Sequence, residues 1–287
     1  MLRAWLRITR AEAYRRLLAL VVLALDEPLA ISRDIALRAL ANRRLDAARR
    51  RERIDQVPIE YRLAPGGRTA LAQPQGLVLL LPRMQGHART VAALCRQFAA
   101  ARPVHVLVDP QQRVDLWRDE LRDSGADLHL SVAAPIRSLR RALSAGAVLL
   151  SFIDMPVDDA PALPTRWFDL PVRVHAMAIR LARQTRSGVL PVAPQALPDR
   201  LLVDIGPALP RAADGDTATA VLARLERCVR AAPELWLAWP ALAGLLDNTR
   251  LTAAPEGAPP ELLARLDRAR RAPAFAGASR RRGLWST

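Results

Sequence analysis

The sequence predicts an α/β fold, a mostly parallel central sheet flanked by helices. Three observations predict it. Between residues 76 and 233, short apolar runs of strand length alternate with longer helical patterns. The runs are continuous rather than alternating, as in "GLVLLLP" (76–82) and "AVLLSFID" (147–154), which suits strands buried on both faces. Glycines stand where helices should stop, at Gly125, Gly146 and Gly188. Strand–helix alternation of this kind means right-handed crossovers and a covered sheet.

The chain divides into a basic helical segment (1–57), an α/β domain (58–250) and a Pro/Ala/Arg-rich tail (251–287) containing Arg280-Arg281-Arg282. In the first segment, "LLALVVLAL" (17–25) follows Arg15-Arg16 and ends at Asp26-Glu27-Pro28. It faintly resembles a signal peptide, but no small-residue cleavage site follows. Its nine residues fall short of the roughly 18 that a membrane span needs. A core helix or a shallow interfacial helix fits it. Leu2, Trp5, Leu6, Leu17 and Leu18 beside Arg3, Arg7, Arg10, Arg15 and Arg16 suit an anionic leaflet or packing on the sheet domain. Residues 30–56 carry an imperfect helical stripe at Ile31, Ile35, Leu37, Leu40 and Leu45. Arg49-Arg50-Arg51 is a solvated face or a phosphate contact.

Pro58 to Pro74 is a connector, with Pro65-Gly66-Gly67 as a turn. Strands are then expected at 76–82, 103–109, 126–132, 147–154, 189–195 and 200–206. Helices are expected at 89–101, 114–125, 135–146, 172–188 and 216–233, the last capped by Asp216 or Thr217. A Pro-rich loop covers 155–171.

Net charge is +15, and every basic residue is arginine. Arginine forks onto phosphate at two points, so phospholipid headgroups or nucleic acid are the natural partners. A genome bias toward arginine explains the charge equally well. Aromatics make up only 4% of the chain and do not interleave with basic residues, which disfavours nucleic acid. Cys95 and Cys228 are isolated on helical patterns, as buried thiols in a reducing compartment would be. No cysteine spacing of a metal site occurs.

Ligands of open α/β sheets bind beyond the carboxyl ends of strands. His87 and Asp154 both follow buried strands and are site candidates on that ground. His105, His129 and His175 read as structural. No G-x-S-x-G, phosphate-binding Gly-rich loop or G-x-G-x-x-G is present. Without an enzyme nucleophile, His87 best serves direct attack by a substrate hydroxyl, as the base that takes its proton. An ordinary structural histidine is the alternative.

Five segments carry a family resemblance. They are "GHARTVA" (86–92), "LRDSGADLHL" (121–130), "LSAGAVLLSFID" (143–154), "TRWFDLPVRVHAMAIRLARQTRSGVLPV" (165–192) and "AAPELWLAW" (231–239). In order and spacing, 76–240 resembles the lipid A biosynthesis (lauroyl/myristoyl) acyltransferases of the lysophospholipid acyltransferase superfamily. That family has Gly-His, four residues, then Glu or Asp; here Ala92 stands at the acid position. Its basic residues after the Trp motif are replaced by "PALAGLL".

The resemblance implies transfer of a fatty acyl group to a hydroxyl of a lipid-like acceptor. The donor would be an acyl carrier protein or coenzyme A thioester, and no bound cofactor or metal is implied. His87 would be the base, with Asp154 and Arg122 as site support or phosphate contacts. Arg83 and Arg89 lie close enough in sequence to bind donor or headgroup. The implied location is peripheral, on the cytoplasmic face of a bacterial inner membrane and in contact with anionic lipid. A silent homologue that binds lipid or carrier protein is the alternative.

Overall fold

The structure is a computed structural model that describes residues 2–49, 58–108, 114–155, 161–197, 199–246 and 264. Two long helices lead: α1 (Leu2–Leu25) and α2 (Leu29–Arg49). Leu17 to Leu25 are all buried, at 7% exposure or less. A helix apolar on every side has to be covered on every side. α2 covers one flank of α1, and α9 (Trp239–Leu245) covers another. The run 17–25 is therefore a core helix, part of the same cluster as the central strands. The side chains of residues 1–12, with Trp5 and its neighbours, lie outside the description. So do Asp109, which closes the expected strand 103–109, and nearly all of the expected 251–287 tail.

The sheet has seven strands in the order β1-β9-β8-β2-β5-β3-β4. Their ranges are β1 Ile59–Leu63, β2 Leu77–Leu81, β3 Val104–Val108, β4 Ala126–Leu130 and β5 Val148–Phe152, then β8 Gly188–Ala196 and β9 Leu201–Ile205. Every pairing is parallel except β8 with β9. β2 and β5 are buried at every position, which explains why "LVLLL" and "VLLSF" show no alternation. β8 pairs β2 through residues 188–191 and β9 through 192–196. Pro191, which has no N–H, stands at that handover.

The crossovers run in two directions. α4 (His87–Ala99) and α5 (Val114–Leu121) carry the chain outward from β2 to β3 and β4, and they pack together. α6 (Ile136–Ser144) and α7 (Met177–Thr185) carry it back to β5 and on to β8, and they pack together too. Right-handed crossovers place these two pairs on opposite faces. β2 and β5 are thus adjacent strands whose outgoing connections diverge, which makes their carboxyl ends the switch point of the sheet.

Four expectations are corrected. The connector 58–74 holds β1 and a helix, α3 (Pro65–Ala72), with Pro65 opening the helix instead of a turn. Residues 162–175, within the expected loop 155–171 and the start of the expected helix 172–188, are instead a hairpin. Its strands are β6 (Ala162–Trp167) and β7 (Leu170–His175). Its two-residue turn, Phe168-Asp169, takes positive φ at both positions, the backbone normally signalled by Asn-Gly. His175 therefore ends a strand, and its Nδ1 accepts the Met177 N–H at 3.3 Å. Helix α8 (Asp214–Ala231) starts two residues before its expected cap, placing Asp214 and Asp216 in its first turn, where the helix dipole favours them. On α2, Ile31 and Leu37 face outward, and Ser32, Ile35, Ala36 and Ala39 form the buried face.

Candidate active site at the switch point

Both candidate residues from the strand ends lie where the topology predicts a site. β2 ends at Leu81, and a short loop leads to Gly86 and His87. β5 ends at Phe152, and Asp154 follows. Gly86 has φ +80°, a conformation an L side chain resists, and it is the N-cap of α4. That turn makes His87 the first residue of the helix. The Gly86 carbonyl accepts the Thr90 N–H at 3.0 Å and the Thr90 hydroxyl at 3.1 Å, which locks the first turn.

His87 is 3% exposed. Its Nδ1–H donates to the Met84 carbonyl at 3.0 Å, and the same carbonyl accepts the His87 backbone N–H at 3.0 Å. A carbonyl can only accept, so Nδ1 carries the proton and Nε2 is the basic nitrogen of the neutral ring. The ring meets Trp117 and Phe152 edge-on, with centroids 5.7 and 5.5 Å away. Ala92, at the expected acid position, is 1% exposed within the core.

Asp154 has no exposure and serves another set of partners. Its Oδ2 accepts the Arg83 backbone N–H at 2.8 Å and the Trp236 indole N–H at 2.8 Å. Its Oδ1 accepts Arg83 Nε at 3.2 Å, and the Arg83 guanidinium also reaches the Asp154 carbonyl. The carboxylate thus joins the β2 loop to the β5 loop and to the "PELW" segment. Main-chain bonds reinforce that seam: Gln85 N–H to the Leu235 carbonyl at 2.7 Å, and Leu237 N–H to the Arg83 carbonyl at 2.8 Å. Trp236 is held in turn by Trp167, Phe168 and Trp239, with centroids 4.9, 5.7 and 4.7 Å away.

The structure therefore joins Arg83 to Asp154 and sets His87 four residues further on. The carboxylate bonds Arg83 and Trp236, and the imidazole bonds Met84. Arg89 sits on the first turn of α4 and is partly exposed. Arg122 belongs elsewhere. It is an exposed side chain paired with Asp119 at 2.5 Å. The turn that carries it feeds the amino end of β4, one strand length of about 16 Å from the carboxyl ends. A groove of about 720 Å³ lined by Arg140, Arg141, Ser144, Ala145 and Gln184 also lies away from His87.

Two participants escaped the sequence reading: the Met84 carbonyl and the Trp236 indole. Trp236 had a signal, since it belongs to a segment already singled out. The carbonyl had none, because any residue supplies one. Among the described residues, no helix is long and apolar enough to cross a membrane. No protein-family model matches the chain, and no curated protein matches it.

Proposed function

We propose that the protein is an O-acyltransferase that moves a fatty acyl group from an acyl-carrier-protein or coenzyme A thioester to a hydroxyl of a lipid-like acceptor. The observation that supports this best is the His87 tautomer. With Nδ1–H given to Met84, the imidazole lone pair lies on Nε2, the nitrogen that would take the acceptor's proton as its oxygen attacks the thioester carbonyl. The tetrahedral intermediate then expels the thiolate, which recovers that proton from the imidazolium. The Met84 carbonyl fixes the tautomer and orientation of the ring. Asp154 is a positioning residue that holds Arg83 and the loop leading to His87. Arg89 supplies positive charge for a phosphate of donor or acceptor. Peripheral attachment to the cytoplasmic face of an inner membrane accords with the net charge of +15.

A second reading has its own observation. A histidine only 3% exposed, with Ala92 in the acid position, suits a silent homologue that binds lipid or carrier protein. Thiol release from acyl-CoA and acyl-carrier-protein thioesters separates the two. Under the first reading, H87A lowers turnover by about 100-fold or more while the fold persists. Equal turnover by wild type and H87A removes the base from the mechanism. No turnover by the wild type leaves the second reading.

A further inference from the structure

At the open edge of the sheet, β3 and β4 bring together three side chains that the acyl-transfer reading does not use. In register, His105 stands opposite Asp127 and Leu107 opposite His129. Side chains two apart on a strand share a face, so His105, Asp127 and His129 project on the same side of the sheet. His105 Nδ1 is 3.1 Å from His129 Nε2 and 3.5 Å from Asp127 Oδ2, and all three donor atoms lie within 4.8 Å of one another.

The two distances from His105 suit a small tetrahedral ion, and the third pair lies within 4.8 Å. Bonds of about 2.0–2.1 Å put neighbouring ligand atoms roughly 3.3 Å apart, and 3.1 and 3.5 Å bracket that value. At 3.5 Å the carboxylate makes at most a weak contact with the ring, which an ion between the two groups would replace. Burial lowers the proton affinity of both imidazoles, and His105 lowers that of His129 further, against a smaller opposing effect of Asp127. The Asp127 side chain is 74% exposed on the edge strand, which gives an ion a way in and a water a fourth position.

We infer that His105, His129 and Asp127 form a binding site for one zinc-class divalent ion across the β3–β4 edge. Two imidazoles and one carboxylate select a borderline transition ion over magnesium or calcium, which take all-oxygen shells. The ion ties the outermost strand to its neighbour, near the amino half of β3 and apart from the His87 loop. The inference is independent of the proposed acyl transfer.

The test is competition for zinc between the untagged chain and a chromophoric chelator at neutral pH. The wild type is expected to bind one equivalent with micromolar or tighter affinity. H105N and H129N are expected to weaken binding by about 100-fold or more. Zinc at about 100 µM is expected to raise the wild-type melting temperature by roughly 5 °C and those of the variants by nothing measurable. D127N carries the test if a histidine variant fails to fold, because that exposed side chain supports no core; it is expected to lose about 10-fold. No binding by the wild type at about 100 µM, affinity unchanged by all three substitutions, or equal affinity for magnesium would each overturn the site.

Discussion

At the scale of the residue, Asp154 decides most. It is a fully buried carboxylate whose oxygens are occupied by Arg83 and Trp236. D154A takes the carboxylate from an Arg83 side chain that is only 13% exposed and leaves the Trp236 indole N–H without its acceptor. The expected loss is about 3–5 kcal/mol, read as a lower denaturant midpoint. W236F removes one charge-assisted hydrogen bond and is expected to cost about 1.5–3 kcal/mol in the same measurement. If D154A is as stable as wild type, the seam between the three segments is not what holds the His87 loop.

The two thiols make a different prediction. Burial pushes both Cys95 and Cys228 up to about 12. Tyr61 is raised as well, by burial against the opposing pull of Arg96. A raised value means that the folded chain keeps protons the unfolded chain has released. Stability is thus fully present below about pH 8.5 and falls as pH climbs toward 12. Melts across that window should show the decline, and a C95A/C228A variant should flatten it. The native thiols should also resist a thiol reagent at pH 8 until denaturant is added.

At the scale of the element, α1 matters because its apolar run is core. Leu23 is 3% exposed, and L23A is expected to cost about 2–5 kcal/mol by thermal or urea unfolding. Removal of residues 1–25 would uncover the α2 and α9 surfaces, so that truncation is expected to lose cooperative unfolding and bind a hydrophobic dye. A cooperative melt for the truncated chain would show that the helix is dispensable. The start of α4 is equally exacting. G86A places a methyl at φ +80°, 3.3 Å from a Leu201 methyl, and is expected to cost roughly 1–2 kcal/mol and to displace His87.

The limits of sequence reading are also visible in single elements. β2 and β5 were legible because five-residue runs of Leu and Val admit little else. The β6–β7 hairpin was not, because prolines at 161, 164 and 171 suggested a loop and its turn lacks the usual Asn-Gly signal. A two-stranded hairpin tolerates proline at unpaired edge positions. Ile31 and Leu37 misled on α2 because Ala36 and Ala39, small and unremarkable in sequence, form the face that packs.

At the scale of the whole molecule, the charge of +15 acts over distance. The chain is expected to float with anionic vesicles at low ionic strength and to detach as salt rises, since exposed charges are screened beyond about 8 Å near physiological salt. Flotation indifferent to salt, or equal with neutral vesicles, would argue against an electrostatic surface role.

The sequence by itself determined a parallel sheet clothed in helices and put a histidine after a central strand, because period and run length are local properties of a chain. Only the tertiary structure decided which groups those side chains meet. Asp154 finds an indole 82 residues away, and His105 finds His129 24 residues away. Such meetings depend on strand order and register, which arise when distant segments pack together and leave no trace in either segment alone.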